Sequence, residues 1–403
     1  MFTDALLQLA VLGVPSALIA LLLRWSGAPG GRAGAALTSG ILVGIFAGPN
    51  VLGARWPGTY DRLFRGGVSE SNALRQLEAE HRREMFALTS SGVSGTALEE
   101  LRTQQRVERE PIVQALHTAC AIHIRSMDQV TLGALALALF GVSLSVVGSR
   151  KSAMRIIGAA TFQAPISAAI FLVAALAPPT LAVVLSTDLG ITSGLAFALT
   201  IATTGASVAL GRHDAPTALF VSLFAAIAVG ALMPTAGALA MGAATVIGIL
   251  CAMCLPCALR RTLRQMGAQF AYTIAIPAVV ALLAVRFDLR ALASEPTSRF
   301  AFWFTLIVAI IWSSDGRMLA WWLALRPLKW SVGQISCCRW TTAARMVNTG
   351  SDVFHLALLT LFFAGGLFSD AMAAGALFGC ALLALTGGAR TFVARILDVP
   401  RAA

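Results

Sequence analysis

Acidic side chains are scarce in this chain. Aspartate and glutamate number 19 in 403 residues, against 30 lysines and arginines, and charged residues of both signs make up only 12%. Ten of the acids fall within residues 60–128, which leaves nine for all the rest. A chain that is 57% hydrophobic, with mean hydropathy +0.79, cannot fold as a water-soluble domain with so few charges to cover it. Catalytic signatures are missing too. There is no HExxH pair, no nucleophile elbow and no phosphate-binding loop, and Ser336–Cys337–Cys338 has no base beside it. The chain is therefore not expected to be an enzyme, and no cofactor is implied. Histidine is limited to five residues. His117 and His123 do not share a helical face, so with His81 they make a poor metal set. No basic region precedes the apolar residues 5–23, which are expected to remain as a first span rather than a cleaved leader.

The net charge of +11 would suggest nucleic acid in a soluble protein. Here the arginines sit at the ends of apolar runs, so membrane topology accounts for them and no nucleic acid is expected. Cys251, Cys254 and Cys257 are spaced CxxCxxC, but they end an apolar run with no acid or histidine near. They are expected to be free, buried cysteines.

What the chain has in abundance is long apolar runs. They predict an all-α, polytopic transmembrane helical bundle. Spans are expected at 5–23, 33–53, 130–147, 156–177, 181–210, 216–235, 237–258, 268–285, within 300–325, and at 353–368 and 371–388. Pro15 is placed to kink the first, and Gly48–Pro49 to end the second. Residues 60–128 differ. SESNALRQLEAEHRREMFAL reads as an amphipathic helix with Ser71 as a possible cap, and a further helical stretch follows, divided near Pro111. This segment is too polar to span. It reads as a solvated helical hairpin, or as a docking surface or a lid over a cavity.

The run 181–236 is punctured by Thr203, Thr204, Gly205 and Ser207. Two readings stay open: a helix that loosens halfway across, or a continuous helix whose small polar residues pack against a neighbour. Gln163, in mid-span, needs a hydrogen-bond partner in lipid.

Four segments carry a resemblance. TSGILVGIFAGPNVLG (38–53), ALALALFGVSLSVVG (134–148), ALTIATTGASVALG (198–211) and the stretch from ARMVNTGSDVFHLALL (344–359) to residue 385 resemble, in order and spacing, the monovalent cation:proton antiporter family. The resemblance implies antiporter-like inverted repeats with two discontinuous helices crossing near mid-membrane, at about 190–212 and 331–352. With the apolar and polar runs, this divides the chain into N-terminal transmembrane helices at 1–59, a charged helical insertion outside the bilayer at 60–128, a first core repeat at 129–236, linking helices at 237–299, and a second core repeat with a basic tail at 300–403. The chain departs from the family in three places. Residues 217–232 hold no ionisable group where the family has an essential aspartate. Thr204–Gly205 fills the Thr–Asp position. In the late motif Gly350 is followed by Ser351 and Asp352, while the nearest preceding arginine is Arg345.

A proton-coupled exchanger needs a buried carboxylate that binds ion and proton in competition. Of the acids outside 60–128, only Asp188, Asp315 and Asp352 escape predicted ends and loops. Asp352 is the leading candidate, with His355 one turn on; its alternative role is a helix N-cap. Asp315, beside Gly316 and Arg317, is either part of the site or a salt bridge at a helix break. Thr203, Thr204, Ser207, Asn348 and Thr349 offer oxygens for a cation, and Gln163 is placed to face the crossing.

Two functions are expected of such a chain. One is a secondary transporter of a small cation, exchanged for protons. The other is a transport-inactive sensor or scaffold subunit that binds a partner through 60–128. The partners expected are a small cation, protons, the lipid bilayer, a protein docked on 60–128 and a second copy of the chain. The basic clusters put the C-terminus in the cytoplasm, and the setting expected is a bacterial inner membrane.

Overall fold

The computed structural model describes residues 2–27, 31–90, 95–146, 236–254, 257–310, 351–364 and 366–397. All regular structure among them is helical. Helices α1 (Phe2–Trp25) and α2 (Gly31–Ala47) lead into two short helices, α3 (Leu52–Arg55) and α4 (Pro57–Tyr60), and a π-helical turn at Asp61–Arg65. Then come α5 (Val68–Ser90), α6 (Gly95–Val146), α7 (Ala236–Cys254) and α8 (Cys257–Phe270). A second π turn, Ala271–Ala275, joins α8 to α9 (Ile276–Ala284); α10 (Leu289–Ser294), α11 (Pro296–Ile310), α12 (Ser351–Ala364) and α13 (Asp370–Leu397) follow. Four stretches, Leu7–Trp25, Gly31–Arg55, Leu98–Leu144 and Arg261–Ala284, are long and apolar enough to cross a membrane. The protein is an integral membrane helical bundle.

The core is built on close helix approach. Gly40 and Gly44 of α2 lie against α9. A Cβ at Gly40 would come within 2.6 Å of the Pro277 carbonyl, and one at Gly44 within 2.5 Å of the Ala284 Cβ. Lipid supplies no hydrophobic drive between helices, so small residues at such a crossing let backbones meet and gain van der Waals contact. The Gly-x-x-x-Gly spacing in 40–44 is the signal, and α2 ends at Gly48–Pro49 as its sequence requires. Pro15 sits inside an α1 that continues to Trp25.

The α8–α9 helix widens where Pro277 approaches. Proline has no N–H to bond the Thr273 carbonyl. In the turn before it, the Ile276 N–H reaches back five residues to the Ala271 carbonyl. That is a π turn, of the kind often found at functional sites.

Three features of the polar region differ from the sequence expectation. First, α6 is not divided at Pro111; it runs unbroken for 52 residues. The carbonyl that Pro111 leaves unbonded belongs to Val107, which is 63% exposed, so water can satisfy it. The expected span 130–147 is the C-terminal part of this same helix. Second, Ser71 is not a cap. Helix α5 opens at Val68, and the Ser71 N–H already donates to the Gly67 carbonyl at 2.8 Å. Third, the loop expected after residue 285 contains α10, capped by Asp288, whose Oδ1 accepts from the Arg290 and Ala291 N–H groups at 2.9 and 3.2 Å. The cysteine run also differs: Cys254 is exposed, and α7 ends there.

At 1.5 Å per residue, α6 is about 78 Å long, more than twice the roughly 30 Å of a bilayer core. Its buried residues begin at Met127 and continue through Leu132, Leu135, Leu139 and Val142. The part before Met127 stands outside the bundle, with α5 packed along it.

Candidate functional site

The ends of several helices meet in a polar collar at the level where α6 leaves the bundle. Arg286, just beyond α9, is its centre. Its Nη2 lies 2.8 Å from Asp128 Oδ1 and donates to the Ile124 carbonyl at 3.0 Å. The guanidinium carbon stands 5.1 Å from the centre of the Phe363 ring. Asp370, at the start of α13, is within electrostatic reach of both Arg286 and Tyr60. Arg286 thus ties the end of α9 to α6 and α12. The side chains of the pair are 14% and 25% exposed, between the surface regime, where such a pair is worth little, and the buried regime, where breaking it is costly.

Around this centre the polar groups are well matched. Gln8 is buried on α1; its Nε2 donates to the Leu63 carbonyl at 2.7 Å and lies 3.1 Å from His123 Nε2. Asn50 spans the turn after α9: its Nδ2 donates to the Phe287 carbonyl at 2.7 Å, and its Oδ1 accepts from the Leu289 N–H at 2.9 Å. Asp61, buried, faces Arg75 at 3.5 Å and Arg65 at 3.9 Å. Gly66 and Gly67, at φ of +78° and +65°, turn the chain out into α5. A Cβ at Gly66 would come within 2.6 Å of the His123 Cβ, so only glycine fits this turn against α6. Burial pushes the Tyr60 phenol up to about 12, with Asp61 and Asp370 adding to the rise and Arg65 and Arg286 opposing it.

Of the residues expected from the sequence to form an ion site, Gln163, Thr203, Thr204, Ser207, Asp315, Asn348 and Thr349 lie outside the described residues, as does the proposed crossing except for Ser351 and Asp352. Asp352 and His355 are on α12. That helix ends at the collar, where Phe363 meets Arg286. Eleven residues down the helix, Asp352 stands about 17 Å below the collar, and His355 about 12 Å below it. His355 is 1% exposed, on a helix whose Val353, Leu356 and Leu359 are also buried.

The expected site does not include the collar, although the sequence carries a signal for it. Asp128, Arg286 and Asp370 each adjoin the end of an expected span, which puts all three at the membrane boundary. Their pairing is not written in any local spacing. Among the described residues no group of three metal-ligating side chains occurs; His81 instead bonds Glu108 at 3.1 Å. One apolar cavity, of about 850 Å³, opens between α1, α6 and the π turn of residues 271–275, with Ser126 and Gln129 among the few polar residues in its wall. No protein-family model, curated protein or solved structure matches the chain.

Proposed function

We propose that the protein is a secondary transporter that moves a small cation in exchange for protons, with Asp352 as the group that binds one or the other. The observation that carries this reading is depth. An ionisable residue about 17 Å along its helix from the collar, with a buried histidine one turn away, suits a solute route across the bilayer. Asp352 suits cation and proton in turn, because burial and neighbours tune a carboxylate's affinity for both. The π turn before Pro277 supplies an irregular helix next to the close approach of α2 and α9. In this reading Arg286, clasped to Asp128, closes the route at the collar. Arg24, Arg32, Arg261 and Arg264 stand at the opposite end of the bundle, with no acid among the described residues there. The positive-inside bias makes that end cytoplasmic, and the C-terminus with it.

A second reading is a sensor or scaffold subunit, favoured by the length of α6 that stands clear of the bundle. One experiment separates the two. Purified protein in proteoliposomes is screened for Na⁺ and K⁺ flux against a pH gradient. The transport reading expects wild-type flux that Asp352→Asn abolishes while the protein stays folded and monodisperse. Flux unchanged in the variant removes Asp352 from the mechanism. No flux for any ion and pH leaves the sensor reading standing alone.

A further inference from the structure

We infer that the outer hairpin carries a binding cleft for a polyvalent oxyanion of the phosphate or sulfate class, independent of any transport through the bundle. Between α5 and α6 lies a cleft of about 420 Å³, lined by Glu78, His81, Arg82, Arg102, Gln105, Arg106 and Arg109. Four guanidiniums thus face a single lining carboxylate. That carboxylate is already engaged, since Glu78 Oε1 takes Arg109 Nη2 at 3.0 Å. Arg82 uses its Nε on the Glu78 backbone carbonyl at 3.1 Å, which leaves its terminal nitrogens available. Arg102 and Arg106 have neither hydrogen bond nor ion pair among the described residues. They sit one turn apart on the same face of α6, with Arg109 following at the next turn.

Two of the neighbouring acids are engaged by other side chains. Glu84 accepts from Gln105 Nε2 at 3.2 Å. Glu108 takes His81 of α5 at 3.1 Å and Gln104 at 3.0 Å, and it lines a separate hollow on α6 with Glu99 and Glu100. The cleft's own lining is therefore rich in arginine, with these glutamates on a neighbouring flank of the helix. Convergent guanidiniums with spare donors suit oxyanions, which they can grip with paired hydrogen bonds. The cleft falls within the size range of small-ligand sites and is too large for a lone water.

Geometry also selects the source of the anion. Arg109 is 19 residues from Asp128, so the cleft begins about 28 Å along the helix from the collar. The headgroup layer reaches only about 7 Å beyond the hydrocarbon core. Even at a tilt of about 40° the cleft stays clear of it. The ligand is a soluble anion, not a headgroup of the protein's own membrane.

The test is calorimetric titration of the full chain, in neutral detergent, with inorganic phosphate and with sulfate, using chloride as the control. Saturable binding of phosphate or sulfate is expected, weakened about tenfold for each arginine lost in Arg102→Gln and Arg106→Gln. Both side chains are exposed and make no hydrogen bond or ion pair among the described residues, and circular dichroism of each variant checks that the helices persist. Glu78→Gln is expected to tighten binding by removing the competing carboxylate. Repeating the titration in phosphatidylcholine vesicles with and without phosphatidic acid should give the same affinity. A fall in affinity with phosphatidic acid would put headgroups in the cleft and overturn the soluble source. Absence of saturable binding, binding no tighter than chloride, or equal binding by the arginine variants would overturn the site. So would a change of oligomeric state in those variants without phosphate or sulfate binding, which would assign the arginines to the acidic face of a second copy.

Discussion

Helix α6 is one continuous element in two solvents, and its halves are held by different forces. From Met127 to Val142 its inward side chains are almost wholly buried, and Gly141 meets Gly267 closely enough that a Cβ on either would lie within 2.8 Å of the other's carbonyl oxygen. From Gly95 to about Arg125 no described side chain is buried, and α5 is attached by exposed polar pairs. Pairs in water are worth little each, because solvent screens them and two long side chains must be ordered. The inner half therefore carries stability, and the outer half is free to carry charge patterns that stability would not tolerate.

The sharpest way to break this comparison is a matched pair of truncations. Leu139→Ala should lose about 2–5 kcal/mol, the cost of a cavity in a packed site. Val107→Ala, on the outer half, should change stability by about 0.5 kcal/mol or less. Both are read as unfolding free energy in mixed micelles, and equal losses would show that the two halves do not differ. Next comes the junction. A double-mutant cycle on Asp128→Asn and Arg286→Ala should give a coupling of about 2 kcal/mol, between the surface and buried limits. A coupling near zero would make the collar an ordinary surface.

The Tyr60 phenol gives a pH handle on the same junction. Its value in the folded protein, about 12, exceeds the ordinary 10.0. The unfolded chain loses this proton first, so the stabilising effect is fully present below about pH 10 and fades as pH rises through about 12. The chain has two tyrosines, so a phenolate absorbance titration of Tyr272→Phe reads Tyr60 alone. A midpoint near 10 would mean that water reaches the ring. The smallest effect belongs to the hairpin: a cycle on Glu78→Ala and Arg109→Ala should couple by about 0.5 kcal/mol or less, and more would give the outer half a stabilising network of its own.

Much of the bundle was legible from residues alone. The apolar runs marked α1, α2 and α9, and the glycines at 40, 44 and 48 marked a close approach without naming the partner. Pro111 misled, because proline breaks a helix more readily where the freed carbonyl has no water, and Val107 has it. Arg286 and Asp128 are 158 positions apart, and no periodicity links such residues; only the shared level at span ends hinted at them. The Asp352–His355 spacing was visible in the sequence, but its depth required knowing that Phe363 ends at the collar.

The unbroken passage of α6 through Pro111 has a mechanical consequence. Measured from Asp128, one arm reaches about 50 Å outward to Gly95 and the other about 27 Å inward to Val146. A rod pivoting at the collar is a lever: any swing at its outer tip appears at its inner end, reversed in direction and at roughly half the amplitude. A hinge at Pro111 would have absorbed that motion before it reached the bilayer.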